Sequence, residues 1–483
     1  MVDMIDVKKK SVRGVVSYAF RTLALQAIGF VATLLLGYYL SPADFGIYFI
    51  VTAVIGVFTF LSDIGLAAAL VQKKEEPTRE DLQTTFTVQQ GLAFTIFGAT
   101  ILLTPFWKTY ANLDTEALWL LYALGFSFVL ASLKTIPSIL LERKLEFTKL
   151  VFPQIIENVL FYSIAVALAA SGFGVRSYTI AVLARSIGGV IAIYFIQSWP
   201  IGFAFSKKAL HNLLRFGAKF QLNDFLARIK DDLFIVVIAR FIPATQMGYL
   251  SWAKRWSMFP YQFSVNSIMS VTFPTFSRLQ EHPDKLKRAI EKSMYFVTLV
   301  IFPVLVGLCV LAYPMIGIIP KYQKWLPALP ALYFFCINIA FAALSTPLTN
   351  TLNAIGKINQ TLKLMLMWTG LTWTLTPLAV MMFGFTGVAV ASAVIALSSV
   401  ATIWMVKKYV RIKTLDQIWR QAFASLAMGA AILLVQNIFH VGLVEVLAEI
   451  VLGGLFYLVL LLITGKKKLF FELESIKPFF VKG

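Results

Sequence analysis

The sequence predicts an all-α polytopic membrane protein with about fourteen transmembrane helices, and three observations carry that prediction. Apolar stretches of about 20 residues, enough to cross ~30 Å of hydrocarbon, recur along all 483 residues. The composition is 59% hydrophobic and only 14% charged, well outside the range of soluble domains. Lysines and arginines gather in alternate connections, the pattern that keeps cationic loops cytoplasmic.

Taken in order, the spans fall at roughly 15–40, 44–70, 84–106, 117–140, 150–171, 177–197 and 213–239 in the first part of the chain. They continue at 245–275, 293–312, 326–352, 361–382, 385–406, 420–439 and 442–464. Ser41-Pro42-Ala43 and Phe383-Gly384 are short outer turns. Lys73-Lys74, Arg143-Lys144, Lys207-Lys208 and the stretches 278–292 and 407–420 are inner loops. The outer connections hold only Lys108, Arg176, Arg240, Lys321 and Lys324. The seventh span is the most polar, carrying Lys219, Asp224, Arg228, Lys230, Asp231 and Asp232 before the short apolar core 233–242. Fusing it with the eighth would place Arg278, Lys285, Lys287, Arg288 and Lys292 outside, so two spans are read there. An even count puts the N- and C-termini in the cytoplasm of a plasma-membrane protein.

An internal likeness organises the spans. Leu40-Ser41-Pro42-Ala43-Asp44-Phe45-Gly46, joining spans 1 and 2, resembles Ile242-Pro243-Ala244-Thr245-Gln246-Met247-Gly248, joining spans 7 and 8. Both halves then begin inside, as parallel repeats about an axis along the membrane normal, with the substrate path between them. The expected division is an N-terminal lobe over 1–205, a C-terminal lobe over 206–412, and an added pair of spans with a basic tail over 413–483.

The net charge of +19 does not mark a nucleic-acid binder, because a many-span chain accumulates cations by obeying the positive-inside pattern. Cys309 and Cys336 lie in apolar spans, and His211, His282 and His440 are scattered without ligand spacing, so neither a disulfide framework nor a metal site is expected. No G-x-x-x-x-G-K-[ST], H-E-x-x-H or G-x-S-x-G motif occurs. The outer loops are too short to hold a catalytic centre. A transporter without a cofactor is expected, driven by an ion gradient, the membrane potential or removal of its product.

Ionisable groups at membrane depth are costly and face the bundle interior or a wet cavity. Helical spacing aligns Tyr18, Arg21, Thr22, Gln26, Gly29 and Thr33 in span 1, and Ser127, Lys134 and Ser138 in span 4. It aligns Ser251, Lys254, Arg255, Gln262 and Asn266 in span 8, and Asn338, Ser345, Thr349 and Asn353 in span 10. Arg185 adds a cation beside Gly188-Gly189. A cavity lined by Arg21, Lys134, Arg185, Lys254 and Arg255 suits a phosphate-bearing substrate, since guanidinium forks match phosphate oxygens. The bland reading stands beside it: Arg21 and Lys219 reach the interface by snorkelling, and Arg228 pairs with Asp224 and Asp232. Asp63 and Glu157 either hold a coupling cation, Na+ or H+, or pair with a neighbouring base. The prolines Pro137, Pro260, Pro303, Pro347 and Pro377 permit bends within spans.

The ordered set of several segments resembles the polysaccharide transporter branch of the multidrug/oligosaccharidyl-lipid/polysaccharide flippase superfamily, the Wzx-type flippases. It comprises Leu40-Ser41-Pro42-Ala43-Asp44-Phe45-Gly46-Ile47-Tyr48, Asp63-Ile64-Gly65-Leu66-Ala67-Ala68-Ala69-Leu70-Val71-Gln72 and Leu140-Leu141-Glu142-Arg143-Lys144-Leu145-Glu146-Phe147. Phe273-Pro274-Thr275-Phe276-Ser277-Arg278-Leu279-Gln280 and Leu352-Asn353-Ala354-Ile355-Gly356-Lys357 complete it. The resemblance implies two six-helix lobes around a cationic cleft, and alternating access. It implies a polyprenyl-diphosphate-linked oligosaccharide passed to the outer leaflet for surface polysaccharide assembly, with membrane lipids and other glycan-assembly proteins as partners. The charged seventh span departs from the family's pattern. A cation-coupled multidrug exporter and a polytopic membrane glycosyltransferase or ligase are the alternative readings, with a scaffold for glycan assembly a third.

Overall fold

The computed structural model describes residues 24–62, 65–73, 75–211, 227–438 and 442–474. Every described element is helical, and no strand occurs among these residues. The chain divides into two compact units, Met1–Ser251 and Trp252–Gly483.

The first unit opens with α1 (Ala24–Tyr39) and α2 (Pro42–Ser62). The Ser41-Pro42-Ala43-Asp44 turn starts α2 by reciprocal capping. Asp44 Oδ2 accepts from the Ser41 amide (2.8 Å) and hydroxyl (2.7 Å), and Ser41 Oγ accepts from the Asp44 amide (3.2 Å). The second predicted span is not one continuous helix. Its end is a separate helix, α3 (Leu66–Gln72), entered through Gly65 in the left-handed region at φ 82°, where a side chain would be strained. α4 (Arg79–Leu102) carries a second capping box, with Thr78 and Asp81 exchanging bonds and Lys73 Nζ 2.6 Å from Asp81 Oδ2. The short α5 (Thr104–Tyr110) follows, then α6 (Thr115–Arg143), capped by the Asp114 side chain accepting from the Ala117 amide. α7 (Phe147–Ala170) and α8 (Arg176–Ile196) form a hairpin through Gly172 and Gly174, both at positive φ.

Arg143 ties the far end of this bundle together. Its Nη1 donates to the carbonyls of Leu70 (2.7 Å) and Lys73 (2.6 Å), and its Nη2 to that of Glu75 (2.9 Å). The last carbonyls of α3 have no partner within their own helix, and one guanidinium supplies it. Leu66, Leu70, Phe86, Ile136, Ile139 and Trp199 form the apolar core beside that anchor.

Of the seventh predicted span, only 227–239 falls within the described residues. It is a π-helical turn, Ile229–Leu233, running into the five-residue α9 (Phe234–Ile238). α10 (Ala244–Arg278) then starts against α2. There a Cβ on Gly46 would overlap the Ala244 carbonyl, and a Cβ on Gly248 would overlap the Pro42 carbonyl. Gly46 follows Pro42 by four residues, as Gly248 follows Ala244. The two segments that resemble each other in sequence therefore cross reciprocally, each glycine admitting the other's backbone.

The second unit takes up α10 and adds α11 (Pro283–Ile318), a 3-10 turn at Gln323–Ala328 and α12 (Leu329–Ala354). After α13 (Ile358–Phe383), the predicted twelfth span appears as two pieces, α14 (Gly387–Leu397) and α15 (Val400–Lys407). The Ser398-Ser399 break between them is held by Trp368 Nε1, which donates to Ser398 Oγ at 3.1 Å. α16 (Thr414–Ile438) and α17 (Leu443–Glu474) close the fold. α17 kinks at Gly465, where Arg420 donates to the freed carbonyl of Thr464 at 3.1 Å. One core gathers Phe276, Leu286, Ile290, Met294, Leu348, Leu352, Leu364 and Val406. The other gathers Leu311, Ala424, Met428, Ile432, Val446, Tyr457 and Leu461.

Among the described residues, 9 helical stretches are long and apolar enough to cross a membrane, and α1 and most of α2 are shorter apolar helices. Leu426, Leu434, Val444 and Ile463 are exposed on α16 and α17, as on a lipid-facing surface. All five prolines expected within spans lie inside helices that run on past them.

Candidate functional site

Three long helices of the first unit bring the embedded charges Lys134, Glu157 and Arg185 together. α6 presents Lys134, α7 presents Glu157 and α8 presents Arg185, each well inside its helix. Lys134 Nζ donates to Glu157 Oε1. Arg185 Nε lies 3.9 Å from Glu157 Oε2, and the guanidinium sits 5.8 Å over the Phe161 ring.

The glycine pair on α8 makes this seat. A Cβ on Gly189 would overlap the Glu157 carboxylate, and one on Gly188 would overlap Leu160. With both side chains absent, α7 and α8 approach closely, and Glu157 is packed to 8% exposure between its two cations. Two positive groups share one carboxylate, so the cluster keeps an unneutralised positive charge. The Arg185 side chain is 43% exposed, and its Nη nitrogens have no partner among the described residues. That free edge is the part of the cluster able to meet an anion.

Arg228 lies elsewhere, at the entrance to the π-helical turn. Its Nη1 donates to the Gly56 carbonyl (3.2 Å) and sits 3.5 Å from Asp232 Oδ2. Lys230 pairs with Asp231 at 2.6 Å. Gly56 of α2 faces the Asp232 carboxylate, which a Cβ there would overlap unless the carboxylate shifted. These charges hold a short, irregular segment against α2.

Lys254 and Arg255 belong to the second unit, half-buried on α10 between the buried Trp252 and Trp256. Trp252 stacks on Trp325 at 5.3 Å. Arg21, Asp63 and Asp224 lie outside the described residues. In the polar stripe of span 10, Asn338 and Asn353 join helices, while Ser345 and Thr349 donate to the carbonyls of Ala342 and Thr346 in their own helix. Asn338 donates to the Ser392 carbonyl (2.8 Å), Thr361 donates to Asn353 Oδ1 (2.7 Å), and Tyr261 and Thr346 share a hydrogen bond (2.7 Å).

Two buried polar groups were not anticipated. α4 buries Thr85, Gln89 and Gln90, whose side-chain oxygens have no hydrogen-bond partner among the described residues. Glu449 of α17 is 7% exposed and accepts from Gln436 of α16 at 2.8 Å. A glutamine pair and a lone glutamate inside apolar runs were the available signals.

Comparison with known proteins places this geometry in a wider group. Residues 35–330 match the model of a family described as polysaccharide biosynthesis protein. The succinoglycan biosynthesis transport protein ExoT of Rhizobium meliloti is 24% identical, over 91% of this chain and 90% of its own. The lipopolysaccharide biosynthesis protein WzxC of Escherichia coli is 23% identical, over 74% and 73%. Among solved structures, the lipid II flippase MurJ in an inward closed conformation superposes with a TM-score of 0.77 at 18% identity, over 93% of this chain and 98% of its own. An inward-facing multidrug resistance transporter of the MATE family gives 0.61 at 15%, over 81% and 98%.

Proposed function

Given that the chain belongs to the polysaccharide biosynthesis protein family, we propose that it is a flippase carrying a lipid-linked oligosaccharide across the membrane for surface polysaccharide assembly. It is a transporter rather than an enzyme. The single observation that carries the substrate chemistry is the Lys134–Glu157–Arg185 cluster, a net cationic group held between three membrane helices. An uncompensated cation at that depth is costly unless an anion visits it. The diphosphate of a polyprenyl-linked sugar supplies one, and the Arg185 edge offers the fork to receive it.

The same anion-binding role is proposed for Lys254, Arg255 and Arg21. Glu157 has the further role of keeping Lys134 and Arg185 paired when no substrate is present. Net movement is driven by a coupling cation, Na+ or H+, or by consumption of the product. The termini face the cytoplasm, in keeping with the distribution of basic loops.

The test is scrambling in sealed proteoliposomes. A fluorescent polyprenyl-diphosphate oligosaccharide is reconstituted with the native chain, with Lys134→Ala/Arg185→Gln, or with Lys254→Ala/Arg255→Ala. Protein-dependent movement is expected, reduced at least ~10-fold in either double variant, the equivalent of losing one charge-assisted contact. Movement unchanged in both variants would remove the phosphate role from these residues. Absence of movement together with export of cationic dyes would replace the flippase by a multidrug exporter.

A further inference from the structure

Where α2 and α10 begin, the first unit holds a cavity of about 330 Å³. Its walls are mostly apolar, formed by Ile47 and Ile50 of α2, Leu113, Phe241 and Ile242. At its edge stands one cation, Arg240. The guanidinium is held in place by two contacts: Nη1 donates to the Thr109 carbonyl at 2.7 Å, and the group lies 5.8 Å over the Tyr110 ring. Its Nε and Nη2 have no partner among the described residues.

Arg176 is the useful contrast. It is another cation from the sparse set of loops, and it is fully engaged: Nε and Nη2 form a fork on Glu116 at 2.7 and 2.6 Å. Among the described residues Arg240 has no carboxylate to engage. It is oriented by a carbonyl and a ring, which leaves a pair of N–H donors presented beside an apolar hollow. Phe241 is 72% exposed, and Phe106, stacked on Tyr110 at 5.0 Å, is 48% exposed. Tyrosine rings and snorkelling arginines gather at the membrane–water interface, so Tyr110 with Arg240 marks the level of lipid headgroups.

We propose that this cavity binds a membrane phospholipid, with the phosphate on Arg240 and the first glyceryl and acyl carbons against Ile47, Ile50 and Leu113. The charge matches a phosphate, and the fork geometry suits two of its oxygens. The volume lies at the small end of ligand pockets, right for a headgroup and the start of a chain. The hollow adjoins the crossing of Gly46 and Gly248, since Ile47 and Ala244 line it directly. A lipid seated there braces that crossing, so its occupancy also raises the stability of the fold.

The test counts lipids retained by the purified full chain in native mass spectrometry, titrated with dioleoylphosphatidylglycerol or with phosphate-free dioleoylglycerol. Arg240→Gln and the cavity-filling Ile47→Trp are compared with the native chain and with Arg176→Gln, each checked for an unchanged gel-filtration profile. The expected result is one phosphatidylglycerol held about 10-fold more weakly by Arg240→Gln and Ile47→Trp, but normally by Arg176→Gln. Dioleoylglycerol should compete poorly. Equal retention by all four proteins, or equal binding of dioleoylglycerol, would overturn the site. Displacement of phosphatidylglycerol by far lower concentrations of polyprenyl diphosphate would reassign the cavity to the transported substrate.

Discussion

Glu157 shows how one residue sets the character of the candidate site. Its carboxylate is shared by Lys134 and Arg185 and seated by the missing side chain of Gly189. Removing the anion leaves two part-exposed cations side by side, so Glu157→Gln should cost about 1–3 kcal/mol in thermal or denaturant melts. In a double-mutant cycle, Lys134→Met with Glu157→Gln should cost less than the sum of the single changes. Additive losses would mean the pair contributes no coupling. The sequence showed that these groups were embedded, because charges stand out within apolar runs. It did not show that Lys134, Glu157 and Arg185 meet, because three separate helices must pack before their side chains come within bonding distance.

Helix ends and helix crossings are where single substitutions should act most sharply. Gly46 and Gly91 are both helical glycines, but only Gly46 has another backbone where its Cβ would go. Gly46→Ala, or its counterpart Gly248→Ala, should destabilise by more than ~4 kcal/mol or abolish recovery of folded protein. Gly91→Ala, with nothing within 4 Å, should be neutral or stabilising by about 0.5–1 kcal/mol. Equal melting of the two variants would dismiss the crossing. Arg143 offers a second test, because it serves carbonyls on both sides of the α3 terminus. Arg143→Lys keeps the charge but loses the fork, and should cost about 1–2 kcal/mol. Hydrogen exchange should rise over residues 66–76 and stay unchanged in α7. The capping boxes of α2 and α4, at Ser41 with Asp44 and at Thr78 with Asp81, emerged only with the structure. So did the breaks at Gly65 and Ser398-Ser399, because hydropathy averages over a window longer than a one-turn interruption.

At the scale of the molecule, topology is open to direct measurement. Single cysteines are placed at Lys357 and Lys467, or at Arg240 and Lys321, in a background with Cys309 and Cys336 replaced. The first pair should react with an impermeant thiol reagent only in inside-out vesicles, the second pair only in intact cells. Labelling of all four from one side would break the parity argument for the span count. The sequence alone determined the class of the protein, its helical character and the approximate position of most of the spans that fall among the described residues. Those properties depend on composition and local periodicity, which a bilayer enforces segment by segment. The ordered short motifs also carried its family, since each marks a turn or a close approach that the fold requires. Tertiary structure decided which embedded charges act together, uniting Lys134, Glu157 and Arg185 while tying Arg228 to Asp232 and Gly56. It also turned a faint seven-residue likeness into a reciprocal crossing at Gly46 and Gly248, and set Arg240 beside a hollow. Such relations join residues far apart in the chain, and they arise only when helix faces pack and exclude all other pairings.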